Sequence, residues 1–349
     1  MRKNDFLIVG QGLAGTMLAF EMLDRNMDFR IVSSPRKSKA SLVAAGMINP
    51  LVFRRLTKSW MLEELLPIMH SRYAAIERLL DEKFYFEKKI LKPLSEEETM
   101  LWKRKKQVPE FSSYIGDILK KAPVEGISPA FAYGTVEGAG YIDLERLLKK
   151  AELFFRQNGY LEYDDVQVDA TNGNVFGAQL GEYAADKVIF CEGFHLQKNA
   201  LFPFVKMNPA KGEVLLIHAP SLSESYLLNR RVFVLPVGNH RFKVGSTYEW
   251  NDLSDQPTAQ GKASILERLD ALIDVDYRIE NHWAGVRPTI ADRRPVLGRH
   301  PGFPNLHVFN GLGTKGVMLA PYFAQEMSNF LLDGNYELPS EVRLTRFGK

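Results

Sequence analysis

Two basic residues in this 349-residue chain stand where a charge could do chemistry. Arg287 lies in Gly285-Val286-Arg287-Pro288, just before a proline that restricts its backbone. A planar guanidinium held in that way is a natural two-pronged partner for a carboxylate. Lys315 belongs to Gly311-Leu312-Gly313-Thr314-Lys315-Gly316, directly ahead of a helical pattern. A helix N-terminus and an ammonium together would stabilise negative charge developing on a bound molecule. Each residue also has a plainer reading. Arg287 could pair with Asp292, and Lys315 could be a solvated loop lysine.

The elements that would present a cofactor to these charges begin at the N-terminus. Residues 6–9 are a short apolar run of β-formers, suited to a strand buried on both faces. The run enters Gly10-Gln11-Gly12-Leu13-Ala14-Gly15, a G-x-G-x-x-G turn, and Leu18, Met22 and Leu23 follow at helical spacing. In such a turn the first glycine makes the bend, and the second lets backbone N–H groups approach a pyrophosphate. The third lets helix pack on strand. Between strand and helix, the motif predicts a dinucleotide site.

A second strand is expected over 29–33. It ends in Ser33-Ser34-Pro35-Arg36-Lys37, without the acidic residue that usually holds a ribose. Two readings stay open: serine hydroxyls on the ribose, or Ser33, Arg36 and Lys37 on a 2′-phosphate, which would favour NADP. Residues 41–50 are small and apolar, as if backbone approached something flat and bulky. Ser59 is expected to cap a helix whose stripe of Leu62, Leu65, Leu66, Met69, Tyr73, Ile76 and Leu80 belongs to the core. Pro67 should kink this helix or mark a later start.

Ser95 and Glu98 have the capping-box spacing. The run Lys103-Arg104-Lys105-Lys106 reads as the basic end of the same helix rather than a nucleic-acid surface. Asp143 should cap another helix. Strands are expected over 165–168, 175–180 and 187–190, the last entering Cys191-Glu192-Gly193. Strands at 214–218, 231–235 and 242–246, interrupted by a helix near 259–273, give an antiparallel signature. A strand at 306–309 precedes the glycine loop and a last helix ending near Leu332.

Net charge is +3, which demands no acidic partner. A single cysteine cannot form an internal disulfide and points to a reducing compartment. No apolar run is long enough for a spanning helix, and the N-terminal run is too short for a signal peptide. A cytoplasmic protein is expected. Seven scattered histidines without paired spacing suggest no metal site.

Four pieces in order carry a resemblance: the N-terminal G-x-G-x-x-G, Ala44-Ala45-Gly46-Met47-Ile48-Asn49-Pro50, the Gly285–Pro288 segment with Asp292 to Gly298, and the glycine loop running into residues 317–321. Together they resemble the D-amino-acid-oxidase-type family of FAD enzymes, which contains glycine oxidase and sarcosine oxidase. The likeness spans essentially the whole chain. The glycine loop is also similar to that of the flavin half of the bifunctional tRNA wobble-uridine modification enzyme.

The resemblance implies α/β plus α+β architecture with interleaved segments. A Rossmann-like FAD-binding domain would comprise 1–82, 136–200 and 284–349, and an antiparallel-sheet substrate domain 83–135 and 201–283. It implies non-covalent FAD held by Gly10, Gly12, Leu13, Ala14, Gly15, Ser33, Ser34, Ser41, Ala45, Gly46, Met47, Val166, Cys191, Gly193, Gly313, Thr314, Lys315, Gly316 and Val317. It further implies hydride transfer from an amine-bearing carbon to flavin N5, with hydrolysis of the resulting imine and oxygen as acceptor. Arg287 would bind the substrate carboxylate, and Lys315 with the glycine loop would lie at the flavin's pyrimidine edge. The substrate is expected to be a small amine or amino acid, with no membrane partner and with nucleic acid disfavoured. The rival readings are an NADP-dependent dehydrogenase and a non-catalytic flavoprotein or RNA-binding module acting on tRNA.

Overall fold

The computed structural model describes residues 4–35, 37–169, 171, 173–178 and 181–348. Arg36 and the end of the strand expected over 175–180 lie outside them.

The N-terminal strand Asn4–Val9 sits inside a six-stranded sheet. It is flanked in parallel by Phe29–Ser33 and Ala185–Phe190. Leu161–Tyr163 and Leu306–Asn310 extend the sheet in parallel, and Val296–Arg299 closes one edge antiparallel. Alternation explains why an unbroken apolar run is needed here. Phe6 and Ile8 join a core with Met17, Leu18 and Phe323, whereas Leu7 and Val9 join another with Phe190 and Phe202. On the first face, helix Leu13–Asp24 packs against the last helix, Gly316–Leu332. Helix Leu62–Leu80 packs on that last helix, and the buried Tyr73 hydroxyl donates to Val317 O at 3.0 Å.

An eight-stranded sheet forms the other layer. Its order is Arg278–Arg287, Ala210–His218, Arg241–Gly245, Val232–Gly238, Leu227–Arg230, Ile90–Leu94, Ala132–Val136 and Ile115–Leu119. Neighbours are antiparallel except Leu227–Arg230 with Ile90–Leu94. The turn at Gly238-Asn239-His240 has φ of 92°, 54° and 55°, the left-handed conformation that a tight hairpin requires. Met47–Ile48, Gly140–Ile142 and Tyr85–Glu87 form a separate three-stranded antiparallel sheet.

Several local expectations are corrected. Ser59 caps no helix; helix Leu62–Leu80 starts after Met61 in a left-handed conformation and runs through Pro67. The strand expected at 231–235 runs over Val232–Gly238, and Arg231 at φ 60° turns the chain into it from the preceding strand Leu227–Arg230. Helix Ala259–Asp270 stops short of residue 273. The strands at 90–94, 115–119 and 132–136 were not read from the sequence. The Ser95/Glu98 capping box and the Asp143 cap are present. In the basic helix end, Lys106 donates to Gly116 O at 2.5 Å, and Lys105 lies 4.3 Å from the centre of the Phe111 ring.

Candidate active site

One continuous cavity runs from the glycine turn to the face of the eight-stranded sheet. Every site residue named from the sequence lines it except Gly15 and Lys315.

The glycine turn has the geometry its spacing calls for. Gly10 adopts φ 107°, and a Cβ on Gly15 would lie 1.9 Å from Gly10 O, so only glycine lets helix meet strand there. At Gly12 the situation is opposite. A Cβ there would meet only Ser41 Oγ, at 3.9 Å, and so would project into the cavity. Helix Leu13–Asp24 has no side-chain cap at Gly12, and Leu13 N–H reaches Ser41 Oγ at 3.3 Å. N–H donors that no side chain caps, facing the open space beside Gly12, suit a diphosphate. Gly46, at φ 67°, fits so closely against Gly140–Ile142 that a Cβ would strike Ile142 O at 1.9 Å.

Ser33 is buried at the strand end. Ser34 Oγ donates to Asp165, so a carboxylate from the adjoining segment stands beside the residue where the acidic one is usually found. Asp164 lines the cavity there and is almost wholly buried. Lys37 is held by Glu192 at 2.9 Å, which weighs against a 2′-phosphate role for it. Burial pushes the Cys191 thiol up, away from the thiolate form.

At the other end of the cavity, the Arg287 guanidinium donates to Ser246 Oγ at 2.6 Å, Thr247 O at 3.2 Å and Lys211 O at 3.3 Å. It lies 4.2 Å from the centre of the Tyr248 ring. No carboxylate among the described residues is within ion-pair reach of it. Asp292 pairs instead with Arg346 at 2.7 Å, which removes the plainer reading of Arg287. Burial draws the guanidinium's pKa downward. Ser246, Tyr248 and Gly212 were missed in the sequence, since only strand pairing brings them to Arg287.

Lys315 is placed differently from the expectation. Its side chain is half-buried, and its ammonium donates to Asn49 O at 3.3 Å and to Ser59 Oγ. It therefore ties the loop around Asn49 to the start of the last helix, while Gly313, Thr314 and Gly316 line the cavity. Burial pulls its pKa from 10.5 to about 8.

The profile of the FAD-dependent oxidoreductase family, DAO, matches residues 5–329. The chain belongs to that family. FAD is its cofactor, and the Gly12 cradle, the uncapped helix and the glycine loop are the parts that fit it. The glycine oxidase of Geobacillus kaustophilus is 26% identical over 91% of this chain and 90% of its own length. The bifunctional protein ThiO/ThiG of Synechocystis is 25% identical over 95% of this chain, which spans only 52% of that relative. Among solved structures, glycine oxidase from Geobacillus kaustophilus superposes with a TM-score of 0.80 at 20% identity, covering 98% of each chain. Iminodiacetate oxidase from Chelativorans gives 0.77 at 20% identity and the same 98% coverage of each chain.

Family membership decides for FAD over NADP. No helix of the described residues is long and apolar enough to cross a membrane. No group of three or more metal-ligating side chains occurs among them.

Proposed function

We propose that this enzyme oxidises the C–N bond of a small amino acid or N-substituted amino acid, with Arg287 receiving the carboxylate. The observation that carries the reading is the guanidinium on the cavity wall, satisfied only by neutral acceptors and an aromatic face. A half-buried cation without a counter-ion is costly, and a substrate carboxylate offsets that cost. Bound FAD supplies the two-electron acceptor for oxidation of amine to imine, which water hydrolyses.

The chain's residues bind and orient. Ser246 and the carbonyls of Lys211 and Thr247 fix the guanidinium plane, which fixes the bound carboxylate and the carbon beside it. The glycine loop would face the pyrimidine edge of a non-covalent flavin, and oxygen would be the final acceptor. The interleaved division into an FAD half and a substrate half accompanies this reading, as do the named FAD contacts. Support comes also from the relatives, several of which are glycine oxidases.

A panel of glycine, N-alkyl glycines, larger amino acids and plain amines under anaerobic conditions tests it. Flavin bleaching by carboxylate-bearing amines and not by their decarboxylated counterparts is expected. Bleaching by plain amines alone would overturn the role of Arg287.

A further inference from the structure

Lys39 follows the second strand and precedes the short helix Ala40–Val43. Its side chain is only 18% exposed, yet it lines the same cavity as Gly10, Gly12 and Leu13. Its ammonium donates to Gln11 Oε1 at 2.7 Å. Gln11 is the second residue of the glycine turn and is itself buried. Its amide nitrogen is within 3.3 Å of Thr16 Oγ1 and of Leu148 O. Those two contacts orient the amide and leave its oxygen toward Lys39.

The nearest carboxylate is weakly placed. Glu152 Oε2 stands 3.9 Å from Lys39 Nζ, while its other oxygen takes the Tyr163 hydroxyl. A largely buried ammonium thus has one neutral acceptor at bonding distance and, among the described residues, a counter-charge only at the edge of reach. Lys37, two residues earlier, is already committed to Glu192. We propose that Lys39 binds the diphosphate of FAD, adding a positive charge to the uncapped helix N-terminus at the glycine turn. Gln11 would then act as its positioning residue. Desolvation, which lowers the pKa of Lys39, is the burden such an anion relieves. The inference rests on FAD as cofactor and is independent of the substrate.

The test uses the full-length protein and competition between ligands with and without phosphates. Equilibrium FAD binding is measured for wild type, Lys39→Met, Lys39→Arg and Glu152→Gln, with ADP and adenosine as competitors. Lys39→Met should weaken FAD and ADP by about tenfold or more, leave adenosine unchanged, and flatten the salt dependence. Lys39→Arg should stay close to wild type, and Glu152→Gln should bind ADP as well or better. Lys39→Gln repeats the comparison if the Met variant does not fold. Equal ADP affinity in all variants would overturn the proposal. So would an equal loss toward ADP and adenosine reproduced by Glu152→Gln, which would make Lys39 a strut between Gln11 and helix Leu144–Gln157.

Discussion

The guanidinium of Arg287 lies flat over Gly212: a Cβ on that glycine would sit 2.1 Å from Arg287 Nη2 and 2.4 Å from Cζ. The two residues belong to adjacent antiparallel strands, in which Ala210 is opposite Arg287 and Gly212 opposite Gly285. The missing side chain leaves the space that the guanidinium occupies as it reaches Ser246. Gly212→Ala should therefore displace it. Turnover of a carboxylate substrate should fall while FAD content is kept, as measured by kcat/KM and by flavin absorbance.

The arginine series follows from the same geometry. Arg287→Lys keeps the charge and loses the two-pronged contact; Arg287→Ala loses both. The expected order in kcat/KM is wild type, Lys, Ala, with the Ala step costing about 2–5 kcal/mol. FAD content and melting temperature should barely change. Equal turnover in all three would mean a substrate without a carboxylate.

Gly12 and Gly15 should fail in different ways. Gly12→Val fills the cradle, where a Cβ meets nothing closer than 3.9 Å. It should abolish FAD retention and leave the unloaded protein's melting temperature intact. Gly15→Ala forces a Cβ against Gly10 O, so it should lower stability itself. Side-by-side melting curves and flavin content separate the two outcomes.

Lys315 makes stability depend on pH. Its folded-state pKa of about 8 lies below the unfolded value near 10.5. Below about pH 8 the lysine is charged in both states, and burying it counts fully against the fold. Between those two values the unfolded chain holds more protons, so stability rises with pH. Lys315→Met removes this dependence. Urea unfolding at about pH 7.5 and about pH 10 should show the wild type gaining on the variant by on the order of 2–3 kcal/mol.

Ser34→Glu would restore the usual acidic residue, but next to Asp165, which now accepts the serine hydroxyl. Two carboxylates would then crowd one ribose site. Weaker FAD binding at neutral pH is the expected result in a fluorescence titration. Tighter binding at neutral pH would show that the glutamate displaces Asp165 without strain.

The parts legible in the sequence are those written locally. The strand, the glycine turn and the helix follow from some twenty consecutive residues, and the cap at Asp143 from four. Arg287 stood out because proline and glycine frame it. Its neighbours did not, because Gly212, Ser246 and Tyr248 come to it through a pairing register that no local pattern encodes. Lys315 was legible as a cation in the loop ahead of the last helix. Its direction was settled by burial, which sent the ammonium to Asn49 O and Ser59. Ile90–Leu94 was missed because Lys92 and Pro93 interrupt its apolar pattern, although the strand is wholly buried.

The sheet beneath the glycine turn also constrains how the enzyme matures. Its neighbouring strands come from residues 4–9, 185–190 and 306–310, and the helix after the turn leans on the last helix, Gly316–Leu332. During synthesis the turn emerges well before the strand Leu306–Asn310 and the last helix that hold it. FAD loading should therefore wait until both have been made, and nascent chains stalled before residue 306 should capture no flavin.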